Sequence, residues 1–319
     1  MKLLCVTVNY RTADLTLGLL QALEGALAGL DATVTVVENG SDDDSEARLR
    51  KGIAALPGEV PVHLLCSREN LGFGGGNNLA IRAALADAEP PDVIHLINPD
   101  AVPERGALKA MLAFLEAHPE AGIAGSAVID DTGEFHCSAF RFPSPLGDLE
   151  GRLRLGLASR LLERWRIPLE PGGEAREVDW VSGSTCSLRR TMLEKVGLFD
   201  EAFFLYFEET DLCQRAKAAG FQVWTVPTSI VHHTGAVTTG LDDLTRRRPA
   251  FWFESRRLYL RKHHGRTGLW LADLSWLLGS FLFGLRRGLA GRPKVDPPGL
   301  VTDFVRHGLG LPLRTDSGS

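Results

Sequence analysis

Over the first 118 residues, short apolar runs rich in β-branched side chains alternate with segments of helical period, and no other feature restricts the fold as much. Leu3–Asn9 reads as a buried strand, Thr33–Glu38 as the next, Val62–Cys66 as a third and Val93–Ile97 as a fourth. A helix over Ala13–Leu30, apolar at Leu15, Leu19, Leu23 and Leu27, and helical stretches around Ser45–Ala55, Asn77–Ala86 and Glu104–His118 separate or follow them. Strand, helix, strand in repeated succession gives right-handed crossovers and an α/β class: a mostly parallel central sheet covered by helices on both faces. Ligands then belong at the carboxyl ends of those strands.

Composition narrows the class. A chain of 319 residues with 44% hydrophobic and 24% charged residues is ordinary globular material, and its net charge of -5 argues against a whole-surface nucleic-acid binder. The charge is uneven. Between Leu241 and Lys294 stand twelve Lys and Arg against four acids, a local surplus of +8. Cys5, Cys66, Cys137, Cys186 and Cys213 are scattered and never in a CxxC spacing, which predicts neither a disulfide framework nor a zinc site. Lys2 leads straight into the first strand without a long apolar core or a cleavage site, so no secretory signal is expected and the chain is placed in the cytoplasm.

Beyond the alternating half, the segment from Phe140 to Glu177 has poor periodicity except for a helix over Leu149–Trp165, and it reads as a lid or an acceptor-facing insertion. Regular patterning resumes with a strand over Val178–Leu188, a helix over Arg190–Val196, a Phe-rich stretch from Phe199 to Phe207, a helix over Asp211–Ala219 and strands over Gln222–Val226 and Ile230–His232. A polar tail, Arg314–Ser319, closes the chain.

Polar residues gather where the expected strands end. Asn9-Tyr10-Arg11 closes the first, Glu38-Asn39-Gly40-Ser41 the second and Asn98-Pro99-Asp100 the fourth, and the Gly-rich run Asn70–Asn78 follows the third. Each alone is an ordinary turn; four at one edge of one sheet describe a cleft. The Gly-rich run fails the dinucleotide fingerprint, because a GxGxxG begun at Gly72 meets Asn77 and one begun at Gly74 meets Leu79, and no Gly-Lys-Ser/Thr follows. What remains is a loop that lets backbone approach a ligand, with Asn77 and Asn78 opening a helix whose N-terminus favours an anion. In an extended segment the side chains of Asn98 and Asp100 point the same way, so both approach one hard divalent cation carrying a diphosphate, with Asp100 as the metal ligand. In Phe207-Glu-Glu-Thr-Asp-Leu-Cys-Gln-Arg215, helix capping accounts for one acid among Glu208, Glu209 and Asp211. An acid beside aromatic groups and other acids has a raised pKa and suits a general base. His232 and His233 end an apolar strand and supply imidazole for a metal or a phosphate.

Taken in order, Val6–Arg11, Val37–Ser41, Asn70–Asn78, Leu96–Asp100, Val181–Arg189, Gly197–Glu201, Phe207–Leu212 and His232–Gly235 resemble the motifs of family 2 glycosyltransferases, most closely a bacterial rhamnosyltransferase-like branch, over residues 1 to 265. The resemblance implies a GT-A fold, a nucleotide-diphospho-sugar transferase architecture, with C-terminal helices added. Residues 1–240 would be the catalytic domain, 1–100 its nucleotide-sugar half and 101–240 its acceptor half, and residues 241–319 a helical, basic, membrane-associating region.

It implies an inverting transfer from a UDP- or dTDP-sugar, in the branch's case rhamnose, to a hydroxyl of a cell-surface glycan or polyprenyl-linked glycolipid, assisted by Mg or Mn. The donor would be bound by Asn9, Tyr10, Arg11, Glu38, Asn39, Ser41, Asn70, Gly72, Phe73, Gly76, Asn77 and Asn98, where Glu38 replaces the family's usual Asp and Asn98 the first Asp of its DxD motif. Ser182, Gly183 and Ser184 would lie on the acceptor side. Glu209 takes the place of the family's catalytic Asp as general base, with Glu208 and Asp211 as alternates. Asp100 carries over as the metal aspartate and His232 as the metal-binding histidine, with His233 second.

Partners implied are the nucleotide sugar, a glycan or lipid-linked glycan acceptor and the membrane surface, with no nucleic acid; a homodimer is compatible with the pattern. Two other classes were weighed on the residues: a nucleotidyltransferase, which needs a Gly-rich basic loop where Tyr10-Arg-Thr-Ala13 stands, and a non-catalytic sugar-nucleotide binder. Finally, Leu269–Leu285 is an apolar run flanked by Arg261–Arg266 and by Arg286-Arg287; it is at the short limit for spanning a bilayer and contains Asp273. Either it packs on the catalytic domain or it lies in the inner membrane interface with Trp270 and Trp276 at headgroup level.

Overall fold

The computed structural model describes residues 1–130, 132–154, 160–233, 243–291 and 295–313. Gly235, Asp242, Arg292, Lys294, part of the expected Leu149–Trp165 helix and the tail Arg314–Ser319 lie outside the described residues. The chain divides into two compact units, one of Met1–Phe140, Pro168–Phe204 and Glu208–Thr238, the other of Arg141–Ile167, Leu205–Phe207 and Thr239–Ser319.

The first unit opens with β1 (Leu3–Asn9), α1 (Ala13–Leu27), β2 (Ala32–Asn39), α2 (Ser45–Ala54), β3 (Val62–Ser67), α3 (Gly72–Leu85) and β4 (Val93–Ile97). It continues through β5 (Ala101–Pro103), α4 (Ala107–Ala117), β6 (Ala121–Ile129), β7 (Phe135–His136) and β8 (Ala139–Phe140). The second unit holds α5 (Pro145–Leu153), after which the first resumes with β9 (Arg176–Val178), β10 (Trp180–Val181), β11 (Thr185–Arg189), α6 (Arg190–Val196), α7 (Glu208–Ala218) and β12 (Gln222–His233).

The main sheet has the order β3-β2-β1-β4-β11-β6-β12-β5, with β7 added to β6 and β9 to β12, while β8 and β10 pair in a separate two-stranded sheet. The pairs β1–β2, β2–β3, β1–β4 and β6–β12 are parallel, whereas β11 is antiparallel to both β4 and β6 and β5 is antiparallel to β12. Six strands therefore point the same way, and the carboxyl ends of β1, β2, β4 and β12 meet the start of β11 at one edge. Leu3, Val34, Val36 and Val93 share a core with Leu19, Leu23 and Leu27 of α1, which is why these strands read as unbroken apolar runs.

Several expected boundaries move, and the strand expected over 178–188 is divided between β9, β10 and β11. The helix expected from Asn77 begins five residues earlier, at Gly72, so the glycine run is helix rather than loop. Glycine disfavours a helix locally, but Cβ atoms at Gly74 and Gly76 would come within 3.1 Å of Phe199 and 2.9 Å of Val8, so tertiary packing selects residues without side chains. The helix expected from Asp211 begins at Glu208. The two strands expected at 222–226 and 230–232 are one strand with a register shift between Val226 and Ile230, at Pro227, where a proline is tolerated in a bulge.

Across β4, β11, β6 and β12 runs a buried polar chain: His95 Nδ1 lies 2.9 Å from Ser187 Oγ, its Nε2 3.3 Å from Thr185 Oγ1, Thr185 donates to Ser126 Oγ and Ser126 meets Ser229 Oγ at 2.9 Å. Burial pushes the imidazole of His95 down from 6.5 to about 4. Between those values the unfolded chain takes up a proton that the folded one refuses, so stability is full above pH 6.5 and falls as pH drops toward 4, by about 3 kcal/mol in all. Urea unfolding at pH 7 and pH 4 measures the loss, and a His95→Gln variant just as steeply acid-sensitive would overturn the assignment.

The second unit adds α8 (Ala250–Leu289) and α9 (Leu300–Gly308). Helix α5 starts earlier than the expected 149–165 helix because Ser144 caps it, accepting from Gly147 N at 3.1 Å, and Pro145 fits its first turn. Helix α8 is interrupted at Gly265, which has φ 68 and ψ -174. Phe253, Trp276, Leu300 and Phe304 form this unit's core. Trp276 is only 4% exposed and stacks on Phe304 at 4.0 Å, which removes it from the headgroup position expected for it; Trp270 is 65% exposed. The acid inside the apolar run is neutralised: Asp273 pairs with Arg256 and Arg257, each at 2.6 Å, and Arg256 also holds Asp148 at 2.6 Å.

Candidate active site

Strand β4 ends in a turn closed by Ala101 N donating to Asn98 O at 3.0 Å, and Asn98 N donates to Ser184 O at 2.8 Å, tying this turn to the start of β11. Strand β5 then pairs with the end of β12, Ala101 opposite His233. That register sets Asp100 Oδ1 3.2 Å from His233 Nε2. Both atoms are buried, and neither has a hydrogen-bond partner among the described residues, so the contact is close without hydrogen-bond geometry. Two adjacent ligands of an octahedral cation with bonds of about 2.1 Å sit roughly 3 Å apart, so the pair fits a shared hard divalent ion.

Alternation along β12 turns His232 the other way, where its Nε2 lies 2.8 Å from Glu104 Oε1. The order expected from sequence spacing is thus reversed: the histidine beside Asp100 is His233, not His232. Among the described residues no three His, Cys, Asp or Glu converge, so a cation here would take its other ligands from diphosphate and water.

The three acids of α7 separate by environment. Asp211 is fully buried and binds Arg215 at 2.8 Å, while the same guanidinium donates to Val196 O and Leu198 O at 2.7 Å. Asp211 therefore anchors a turn through Arg215. Glu208 is buried, its Cβ 3.6 Å from where a Cβ on Gly74 would stand. Glu209 has Oε2 buried without a hydrogen-bond partner among the described residues. Burial raises its carboxyl above the ordinary range, offset in part by its own backbone N–H and those of Gly183 and Thr210. A Cβ on Gly183 would touch the Phe73 ring at 3.1 Å and approach Glu209 Cβ at 3.6 Å, so a glycine there admits both side chains. Beside it, Ser182 and Ser184 hydroxyls meet at 3.0 Å.

Much of the expected donor set builds the cleft. Asn39 donates to Asn70 Oδ1 and to Gly72 O, each at 3.1 Å, and accepts from Leu71 N at 3.1 Å, which engages the whole amide. Gly72 N donates to Asn70 Oδ1 at 2.9 Å and Phe73 N to Phe204 O at 3.1 Å. The N–H groups of residues 71–73 thus have protein acceptors and do not face an anion, contrary to the reading of this run as an anion-binding N-terminus. Gly72 has φ +73 and a Cβ there would fall 1.9 Å from Phe204 O, so only glycine fits. Asn77 lies in the second turn of α3 and donates to Phe73 O at 3.0 Å. Asn78, its neighbour, clamps the Phe199–Glu201 turn, donating to Phe199 O and Glu201 Oε1 at 2.9 and 2.8 Å and accepting from Phe199 N at 3.1 Å.

Other donor candidates keep open capacity. Asn9 Oδ1 accepts from Thr12 and Thr16 hydroxyls at 3.2 and 2.9 Å, leaving its buried Nδ2 without a partner among the described residues. Glu38 accepts from Gly40 N and Ser41 N at 3.2 and 2.8 Å, and Ser41 Oγ accepts from Arg11 N at 2.9 Å, locking the ends of β1 and β2 together. The Arg11 guanidinium pairs with Asp42 and stands 5.2 Å over the Tyr10 ring. Asn98 is half-buried at the same edge. Sequence reasoning missed Arg215 and Glu104, the partners of Asp211 and His232; only the i,i+4 spacing of Asp211 and Arg215 announced either pair.

This geometry matches known proteins. The sequence model described as glycosyltransferase like family 2 fits residues 5–263. The N-acetylglucosaminyl-diphospho-decaprenol L-rhamnosyltransferase of Mycobacterium tuberculosis is 32% identical over 262 residues, 77% of this chain and 79% of that protein. Rhamnosyltransferase WbbL of Escherichia coli is 28% identical over 158 residues, 49% of this chain and 58% of WbbL. Among solved structures, mannosyltransferase PcManGT from Pyrobaculum calidifontis in complex with GDP-Man and Mn2+ aligns with TM-score 0.58 at 14% identity, covering 97% of this chain and 79% of that one. S. aureus TarS 1-349 in complex with UDP aligns with TM-score 0.54 at 15% identity, covering 92% and 76%. The fold is of the GT-A type, and the chain belongs to glycosyltransferase family 2.

Proposed function

We propose that this glycosyltransferase moves a sugar, rhamnose by analogy with its relatives, from a UDP- or dTDP-sugar to a hydroxyl of a polyprenyl-diphosphate-linked glycan by one in-line displacement that inverts the anomeric centre. The reading rests on two observations: the Glu209 carboxyl at the start of α7 has a buried oxygen without a hydrogen-bond partner among the described residues, and Asp100 and His233 stand 3.2 Å apart where β5 meets β12. Asn9 Nδ2, Tyr10, Arg11, Ser41 and Asn98 would orient the nucleotide. Asp100 and His233 would hold Mg or Mn, which when bound neutralises charge on the departing diphosphate. Glu209 takes the proton of the acceptor hydroxyl at Oε2, its burial making the carboxylate a stronger base than a solvated one. Gly183 lets the Phe73 ring and Glu209 pack against this turn, which fixes where Glu209 stands.

Helix α8 supports work at a membrane face. Trp270, Leu274, Leu278, Phe281, Leu285 and Leu289 recur at steps of three and four and are exposed, while Leu269, Ala272, Trp276 and Phe283 on the opposite side are buried. The helix is long and apolar enough to cross a bilayer by composition, but a helix packed along one side and apolar along the other suits lying in the interface, with Arg266, Arg286 and Arg287 toward anionic headgroups. The protein would then sit on the cytoplasmic face of the membrane.

Thermal melting with UDP, dTDP or GDP, with and without Mn, tests the donor reading. One uridine or thymidine nucleotide at 100 times its Kd should stabilise by about 2.7 kcal/mol, and only with Mn. A GDP preference, or no shift from any nucleotide, would remove it.

A further inference from the structure

The Gly-rich run Asn70–Asn78 is left without a task by the chemistry above, since the N–H groups of residues 71–73 have protein acceptors and do not face an anion. What the run does hold in place is one side chain, that of Phe73. Its backbone is fixed on both sides: the N–H donates to Phe204 O at 3.1 Å, and the carbonyl accepts from the Asn77 amide at 3.0 Å. Its ring meets Phe199 edge-on, with the centres 6.0 Å apart. Phe199 is gripped in turn by the fully buried Asn78, which accepts from its N–H at 3.1 Å and donates to its carbonyl at 2.9 Å. Gly72 and Gly74, flanking Phe73, lie so close to Phe204 and Phe199 that neither position admits a side chain without displacement. Two amides and two glycines thus aim a single half-buried ring.

That ring ends at Gly183. A Cβ there would stand 3.1 Å from Cε1 and Cζ of Phe73 and 3.6 Å from Cβ of Glu209, so the ring edge and the carboxyl-bearing side chain converge on one point of the turn between β10 and β11. The N–H of the same glycine donates to the Glu209 carboxyl. The other oxygen, Oε2, is buried without a hydrogen-bond partner among the described residues, which costs free energy unless the carboxyl holds its proton. The titratable groups around it are Glu208, its neighbour in sequence, Cys213 one turn along α7, and Cys186 on β11. Burial keeps both thiols protonated, that of Cys213 being pushed up to about 12. Neither thiol therefore brings a charge to the carboxyl, and apolar cover is what sets its proton affinity.

We propose that Phe73 is a positioning residue for the transfer step: its ring seats Gly183 against Glu209 and keeps water from the carboxyl, and the Gly-rich run serves to hold that ring. This role rests on the reading of Glu209 as the general base and names the group that keeps the base dry.

The carboxyl itself is the probe. In the full chain carrying carbon-labelled glutamate carboxyls, the Glu209 resonance is identified by its loss in Glu209→Gln and titrates by NMR with no substrate present. Its wild-type midpoint should lie above the ordinary carboxylate range. In Phe73→Ala and Phe73→Gln, where water or an amide reaches Oε2, the midpoint should fall by about one pH unit, and in Phe73→Leu, which keeps apolar cover, it should stay at the wild-type value. Affinity for UDP with Mn, measured by calorimetry, should be that of the wild type in all three. Should Phe73→Ala fail to melt cooperatively, the leucine and glutamine variants decide, because they are close in size and differ in polarity. Equal midpoints in those two would overturn the role. So would a loss of UDP affinity in Phe73→Ala with the midpoint unmoved, which makes the ring a donor contact. Turnover separates this role from the reading beneath it: full turnover of Glu209→Gln ends the base assignment, whereas the carboxyl titration does not depend on turnover.

Discussion

Replacing Asp100 by alanine is expected to lower Mn-dependent sugar transfer by about a thousandfold or more and to leave the melting temperature close to that of the wild type. The size follows from losing one of only two side chains that face each other at 3.2 Å, so that charge on the leaving diphosphate is no longer neutralised from the protein side. The small stability change follows because Asp100 Oδ1 is buried without a hydrogen-bond partner among the described residues; its removal relieves a desolvated oxygen and breaks no bond there. His233→Ala should act in the same direction with a smaller loss, and His232→Ala should be near neutral. Transfer rates across a Mn titration decide the matter: near wild-type turnover of the Asp100 variant at saturating Mn would end the metal assignment.

Glu209→Gln should reduce kcat by about 10²- to 10⁴-fold with little change in donor affinity, since a general base acts only when the hydroxyl is attacked. The pH profile carries a second signature. Because burial lifts the Glu209 carboxyl, the wild-type rate should rise with pH through a value above the ordinary carboxylate range, and that limb should vanish in the variant. A carboxyl whose folded pKa is raised also weakens the fold once it ionises, so the glutamine variant should melt at or above the wild-type temperature at neutral pH. Asp211→Asn is the control with the opposite pattern. It breaks a buried pair with Arg215, costs on the order of 3 kcal/mol of stability and leaves the chemical step in place. A collapse of kcat in the Asp211 variant, with Glu209→Gln active, would move the base two residues along.

The sheet was legible because β1, β2 and β4 are buried on both faces, and continuous apolar runs of Leu, Val and Ile say so without help from partners. Strand β6 was not: Ala121–Ile129 is rich in glycine and alanine, which no local propensity assigns to a strand. A Cβ on Gly122 would approach Phe221 and Met192 within 2.9 Å, and one on Gly125 would approach Val181 at 2.7 Å, so its small residues answer to neighbours distant in sequence. The site divides the same way. The positions of Asp100 and Glu209 follow from strand end and helix start, both local. Which histidine stands beside Asp100 depends on the β5–β12 register, and the engagement of Asn39 with residues 70–72 depends on a contact thirty residues away; neither is written in spacing.

The Asn39 clamp bears on how this enzyme ages. Asn39 precedes Gly40, the dipeptide in which an unfolded backbone most readily attacks the side-chain amide and loses ammonia. In the folded protein the amide is held by three hydrogen bonds and Gly40 is fixed at φ +69, so the attack geometry is denied. Once opened, the chain has no such protection. An aspartate formed there would keep one oxygen on Leu71 N but turn the other toward Asn70 Oδ1 and Gly72 O, both acceptors, and the cleft could not close on it again. Heat inactivation of this protein should therefore become irreversible through chemistry at one amide, at a rate set by how often this edge of the sheet opens.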